Sequence, residues 1–229
     1  HKHEEIKKIY LTASGGPFLN LELHKFSKIK PKDALKHPRW KMGRKISIDS
    51  ATLMNKILEL VEAQKLFNLE KSKLEIIIHP QSLVHAIIEF KNGLTKFIYH
   101  DTSMIIPLSN KIFNSKINID EYFKKERSKN LGIRNLTFET VDKKKFPMIN
   151  LKKRIFEYPS SSIIINAANE ILVDQFLQKK IAFMKIYKII LTVLNDRNYK
   201  KYAIRRPKNI KQIIDIDMWA RKITSERLK

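Results

Sequence analysis

The chain contains no cysteine, so neither a disulfide framework nor a thiolate metal site can be built from it. Glycine is scarce, five in 229 residues, and no Gly-x-Gly-x-x-Gly run occurs, which removes the usual dinucleotide fingerprint. No apolar stretch reaches the roughly 18 residues of a membrane span. The opening HKHEE lacks the apolar core of a secretion signal. These absences are read as a cytoplasmic protein, or one of an organelle stroma if a targeting segment has been lost. Acids are outnumbered, 23 Asp+Glu against 46 Lys+Arg, for a formal charge of +23. Such an excess suits phosphates, whether of nucleic acid or of a small substrate. The lysines are spread over predicted helices, turns and tails rather than gathered in one stripe, and this weakens the nucleic-acid reading.

The most informative stretch is residues 37–62, HPRWKMGRKISIDSATLMNKILELVE. Asp49-Ser50-Ala51-Thr52 reads as a helix start, since Asp and Ser side chains accept from the free N–H groups of a first turn. From Leu53 onward Leu53, Met54, Ile57, Leu58, Leu60 and Val61 fall on one broad apolar face at helical spacing. Asn55, Lys56, Glu59 and Glu62 fall opposite. Ser50, Asn55 and Lys56 stand at the positive end of the helix dipole, where an oxyanion binds well. The alternative is an ordinary solvated face with an i,i+3 Lys56–Glu59 pair.

Around this helix the chain reads as an α+β protein: a mixed-sheet domain with a lid loop, a linker and a C-terminal helical bundle. Strands are expected at 6–12, 74–78 and 83–90, with Lys91-Asn92-Gly93 turning into a return strand at 94–99. The first strand ends in Ser14-Gly15-Gly16-Pro17, a tight turn whose glycines allow close approach of backbone to a ligand. Trp40 and Met42, in a cation-rich loop flanked by Pro38 and Gly43, suit a lid over residues 34–45. His79 and His85 lack metal-site spacing and are read as structural or as site wall. The boundaries are set at 1–114 for the sheet domain, 115–145 for a linker and 146–229 for the helices.

LTASGGPF (11–18), HPRWKMGRKISIDSATLMNK (37–56), IIIHPQSLVHAIIEF (76–90) and NAANEI (166–171) together resemble the catalytic and C-terminal domains of the 1-deoxy-D-xylulose 5-phosphate reductoisomerase family. The resemblance implies NADPH- and divalent-metal-dependent isomerisation and reduction of that sugar phosphate, usually in a homodimer. It implies that Ser14, Ser50, Asn55 and Lys56 hold the substrate phosphate, with His37 closing on it. Glu59 would bind substrate through Mg2+ or Mn2+ as one ligand of that ion. Trp40 and Met42 would pack over substrate and nicotinamide, and Gly43 would lie against the cofactor.

Two departures follow. The family has a nucleotide-binding domain ahead of this region that supplies further acidic ligands, so the chain is expected to be a fragment without turnover of its own, or else a remnant that binds phosphate or nucleic acid without catalysis. In the loop His100–Pro107, Met104 and Pro107 keep the family pattern while Ser103 and Ile105 replace its acid and arginine.

Overall fold

The computed structural model describes residues 5–37, 42–118 and 135–228. Its centre is β1 (Ile6–Ala13), which pairs in parallel with β2 (Leu74–Ile78) and antiparallel with β3 (Val84–Phe90). β4 (Thr95–Tyr99) adds antiparallel to β3, so the order is β2-β1-β3-β4. The sheet is mixed, as the sequence suggested. A parallel pair needs a long crossover, and here the crossover is the functionally interesting part of the chain. It contains α1 (Pro31–Ala34), α2 (Arg44–Thr52) and α3 (Met54–Phe67).

Alternation decides which strand residues face inward. Leu74, Ile76 and Ile78 are buried while Glu75 and Ile77 between them are only partly covered. Against that face α3 lays Met54, Ile57 and Leu60, all at 0% exposure. The helical spacing read from the sequence therefore selects the core side correctly. Burying three such side chains contributes roughly 1.5–3 kcal/mol each before the entropy of ordering them is subtracted.

The C-terminal part is helical. It comprises α5 (Leu151–Arg154), α6 (Ser161–Leu177), α7 (Lys185–Leu194), α8 (Tyr199–Ala203) and α9 (Ile210–Glu226). The short α4 (Ile105–Ile112) follows β4. α9 starts at Ile210 because the Asn209 side chain accepts from the Gln212 N–H at 3.0 Å and caps it there. An aromatic cluster joins these helices to the sheet half. Phe18 meets Phe183 edge-on at 5.3 Å, Phe183 meets Phe176 at 5.6 Å, and Phe26 meets Phe146 at 6.4 Å. One continuous buried core results.

The expected linker, 115–145, is in its described C-terminal part attached to the sheet. Glu139 and Ile78 exchange backbone hydrogen bonds of 2.8 and 2.9 Å, and Gln81 holds Thr137. The ends of the expected lid, 34–45, are helical: Ala34 closes α1, and Arg44 and Lys45 open α2. Trp40, placed in that lid from the sequence, lies outside the described residues. Among the described residues no helix is long and apolar enough to cross a membrane.

Candidate active site

Two backbone features bring the site together. The first is the turn after β1, where Gly16 adopts a φ of +63° and a Cβ on it would sit 3.0 Å from the Ser50 carbonyl oxygen. Only glycine allows this approach, which seats the strand end on α2. The second is Leu53, at φ 65° and ψ 14°, a left-handed residue between two helices. For a non-glycine residue this conformation costs about 1–2 kcal/mol. Its effect is to end α2 and start α3 afresh, so that Asn55 and Lys56 occupy a new first turn. Thr52 Oγ1 accepts from the Met54 N–H at 3.3 Å across the break.

This corrects the helix start read from the sequence. Asp49 and Ser50 are not caps; they belong to the last turns of α2, whose Ser47, Ile48 and Ala51 are buried at helical spacing. Asp49, 2% exposed, accepts from Asn169 Nδ2 at 2.7 Å and pairs with Lys45 at 2.9 Å. Burial pushes its carboxyl above the ordinary range, against the opposing pull of Asn169 and Lys45.

A cavity of about 500 Å³ opens where these pieces meet. Ser14, His37, Met42, Ser50, Asn55, Lys56 and Glu59, all singled out from the sequence, line it together. Gly43 is not in its wall. It precedes α2, and no described atom lies within 4 Å of where its Cβ would be. The reading missed Thr12, Ser82 and Met104, which also line the cavity. Residues that reach a site only through the end of a strand or a turn leave no periodic signal. Ser82 illustrates this: its φ of 55° aims a 92% buried side chain inward, and no spacing rule announces it.

The polar groups are arranged for an anion at one end. Ser14 Oγ accepts from the Gly16 N–H at 3.1 Å and shares a 3.2 Å hydrogen bond with His37 Nε2. Burial, and then nearby Lys56, lower the His37 pKa and so favour its neutral ring. Lys56 Nζ lies 2.7 and 3.0 Å from the two Glu59 oxygens, and Asn55 Nδ2 lies 3.4 Å from one of them. Among the described residues the buried Asn55 Oδ1 and Ser82 Oγ have no hydrogen-bond partner, which in a cavity wall suits a polar ligand.

His79 and His85 occupy different settings. His79 is fully buried, binds the Thr137 carbonyl through Nδ1 at 2.9 Å, accepts the Leu83 N–H through Nε2, and stacks on Phe138. His85 lines the cavity and stacks on His100 at 3.7 Å. Burial and then His100 push its pKa down to about 4. A neutral ring facing the His100 carbonyl at 3.1 Å must carry its proton on Nε2.

Divalent-cation chemistry is met in part. Among the described residues Glu59 is the sole acid in the wall of this cavity, and no group of three or more His, Cys, Asp or Glu suited to a metal occurs. Its carboxylate fits as one hard oxygen ligand of Mg2+ or Mn2+; a six-coordinate site needs more than that.

An α+β protein with a polar cavity suited to an oxyanion is what this fold and site define. A family model described as the 1-deoxy-D-xylulose 5-phosphate reductoisomerase C-terminal domain matches residues 1–67, and one described as the DXP reductoisomerase C-terminal domain matches residues 101–223, more than half of the chain. The chain belongs to the 1-deoxy-D-xylulose 5-phosphate reductoisomerase family. It is 45% identical over 221 residues to the reductoisomerase of Pelagibacter ubique, covering 95% of this chain and 55% of that one. With the reductoisomerase of Persephonella marina the identity is 41% over 231 residues, covering 100% and 59%. Among solved structures, the Zymomonas mobilis enzyme in complex with NADPH superposes with a TM-score of 0.85 at 33% identity, covering 99% of this chain and 57% of that one. A reductoisomerase in complex with NADPH, fosmidomycin and magnesium gives 0.85 at 31% identity, covering 98% and 55%. The chain thus spans little more than half the length of the relatives it matches.

Proposed function

We propose that this chain forms the substrate-binding part of a reductoisomerase that converts 1-deoxy-D-xylulose 5-phosphate to 2-C-methyl-D-erythritol 4-phosphate with NADPH and Mg2+ or Mn2+. The observation that carries the reading is the meeting of Ser14, Ser50, Asn55, Lys56 and Glu59 in one cavity at the start of α3. Ser14 and Ser50 offer hydroxyls, Asn55 an amide, and Lys56 an ammonium to the phosphate, with the positive end of α3 behind them. His37, neutral and held by Ser14, donates or accepts without adding charge. Holding the remote phosphate supplies binding energy that orients the reacting end of the sugar.

Glu59 would hold the cation, which when bound polarises the carbonyl and hydroxyl oxygens of the sugar. Met42 in the cavity wall, with Trp40 and Gly43 beside it in the sequence, would cover substrate and nicotinamide and keep water out. The complete activity requires residues beyond the single carboxylate gathered here.

Inorganic phosphate titrated calorimetrically into the chain is expected to bind and to be displaced by fosmidomycin. Lys56→Gln should weaken binding about tenfold or more, and Ser50→Ala less, since a charge-assisted bond is roughly twice as strong as a neutral one. Binding that ignores both substitutions would sink the assignment.

The reading includes a homodimer. Among the described residues β4 stands at the sheet edge with Phe97, Ile98 and Tyr99 at 42–51% exposure, and α4 beside it in sequence exposes Leu108 and Ile112. An open apolar edge of this kind is ordinarily covered by another strand. Sedimentation equilibrium should give twice the chain mass, and Ile98→Lys should shift it toward the monomer.

A further inference from the structure

The cavity holds an ion pair where two opposite ligands are expected. Lys56 Nζ is 2.7 Å from Glu59 Oε2 and 3.0 Å from Oε1, and the Asn55 amide nitrogen also leans on Oε1 at 3.4 Å. Both nitrogen donors assigned to the phosphate are therefore turned onto the carboxylate. Among the described residues Asn55 Oδ1 is left buried and unpartnered, and a carbonyl oxygen is the wrong polarity to meet a phosphate. The pair is well shielded, with side chains 18% and 35% exposed. Among the described residues Lys56 pairs with no other acid.

We propose that the Lys56–Glu59 pair is a latch that couples the two ends of the cavity: an oxyanion that takes Lys56 and Asn55 frees Glu59 for a divalent cation, and a cation that takes Glu59 frees the donors for the oxyanion. The inference rests on the phosphate reading given above. Its physical basis is competition. A single ammonium fully engaged by one carboxylate cannot give the same bonds to a phosphate, so the first ligand to arrive carries the cost of opening the pair and the second does not. By linkage the two affinities rise by the same factor. An exposed surface pair would impose little of this, whereas a pair in a cavity wall, further from water, imposes more.

The test needs no turnover. Inorganic phosphate is titrated into the 229-residue chain in the presence of a chelator, comparing the parent with Glu59→Gln, Glu59→Asp, Glu62→Gln and Ser50→Ala, each checked for folding by circular dichroism. Glu59→Gln is expected to bind phosphate on the order of threefold to tenfold more tightly, the worth of a shielded pair released. Glu59→Asp, with a shorter reach, should fall between. Glu62 is exposed and one turn further along α3, so Glu62→Gln removes the same charge without touching the latch and should change little. Equal gains in both glutamine variants would mean bulk charge rather than a latch and would overturn the proposal. Unchanged or weaker binding by Glu59→Gln, with Ser50→Ala still weakened, would overturn the latch and leave the phosphate site standing. Indifference to Ser50→Ala would bring down both. With Mg2+ added, phosphate affinity should rise in the parent and not in Glu59→Gln; parallel shifts in the two would also refute the coupling.

Discussion

Helices α3 and α6 are similar in length, both pack on the same core, and both carry polar residues on buried turns, yet one makes a site and the other a strut. α3 begins after a left-handed Leu53 and opens its first turn onto a cavity, where Lys56 and Glu59 have each other. α6 begins where chain closes over it. Ser160 Oγ donates to the Arg205 carbonyl at 2.7 Å, and Ser161 shares a hydrogen bond with Tyr199. Its polar residues reach outward to neighbours: Asn169 to Asp49 in α2, and Glu170 to Arg221 in α9 at 2.5 Å. A polar helix turn becomes a binding site when the chain ahead of it turns away and leaves room. Where other elements fill that room, the same chemistry ties the fold together.

The comparison breaks most visibly if the two helices do not share a core. Leu60 in α3 and Leu172 in α6 are both at 0% exposure, and truncation of either to alanine should cost about 2–5 kcal/mol. Urea unfolding followed by circular dichroism and tryptophan fluorescence should show one transition in each variant. Two separated transitions, one per variant, would mean that strut and site are independent bodies.

A smaller effect is expected where the room itself is made. Gly16→Ala places a Cβ 3.0 Å from the Ser50 carbonyl and 3.2 Å from Ala51 Cα at a φ of +63°, which should cost about 2–3 kcal/mol through strain and overpacking. Phosphate affinity should fall with it, because Ser14 and Ser50 are pushed apart. Retained affinity in a destabilised variant would separate the turn from the site.

Next in size is the tie between the two regions. Asn169→Ala strips the amide from buried Asp49 while Lys45 remains, a loss of about 1–2 kcal/mol. If strut and site are linked as drawn, the change appears in the melting temperature first and in phosphate affinity only weakly.

The smallest effect at neutral pH, and one that grows toward acid, is a slope with pH. The fold holds His85 at about 4 against an ordinary 6.5, chiefly by burial. Between those values the unfolded chain takes up a proton that the folded chain refuses, so stability falls as pH drops from 6.5 toward 4. His37, lowered for the same leading reason, adds to the slope in the same direction. His85→Asn should flatten part of this dependence in thermal melts between pH 4 and 7; an unchanged slope would mean that the cavity wall does not exclude the proton.

What the sequence determined by itself was the content of the elements. Alternation in Leu74–Ile78 and helical spacing in Met54, Ile57 and Leu60 mark inward faces because the side-chain period is a property of the backbone alone. Motif matches over 11–18, 37–56, 76–90 and 166–171 pointed to the family and to six residues of the cavity wall, Ser14, His37, Met42, Ser50, Asn55 and Lys56. Tertiary structure decided where helices break and what each polar group meets. The αL turn at Leu53 moved the helix start to Met54, past Asp49, since a leucine carries no local preference for that conformation and accepts it only when buried neighbours hold it there. Likewise Asp49 and Asn169 are 120 positions apart in the chain and 2.7 Å apart in space, a meeting no local pattern specifies because it depends on how two helices pack.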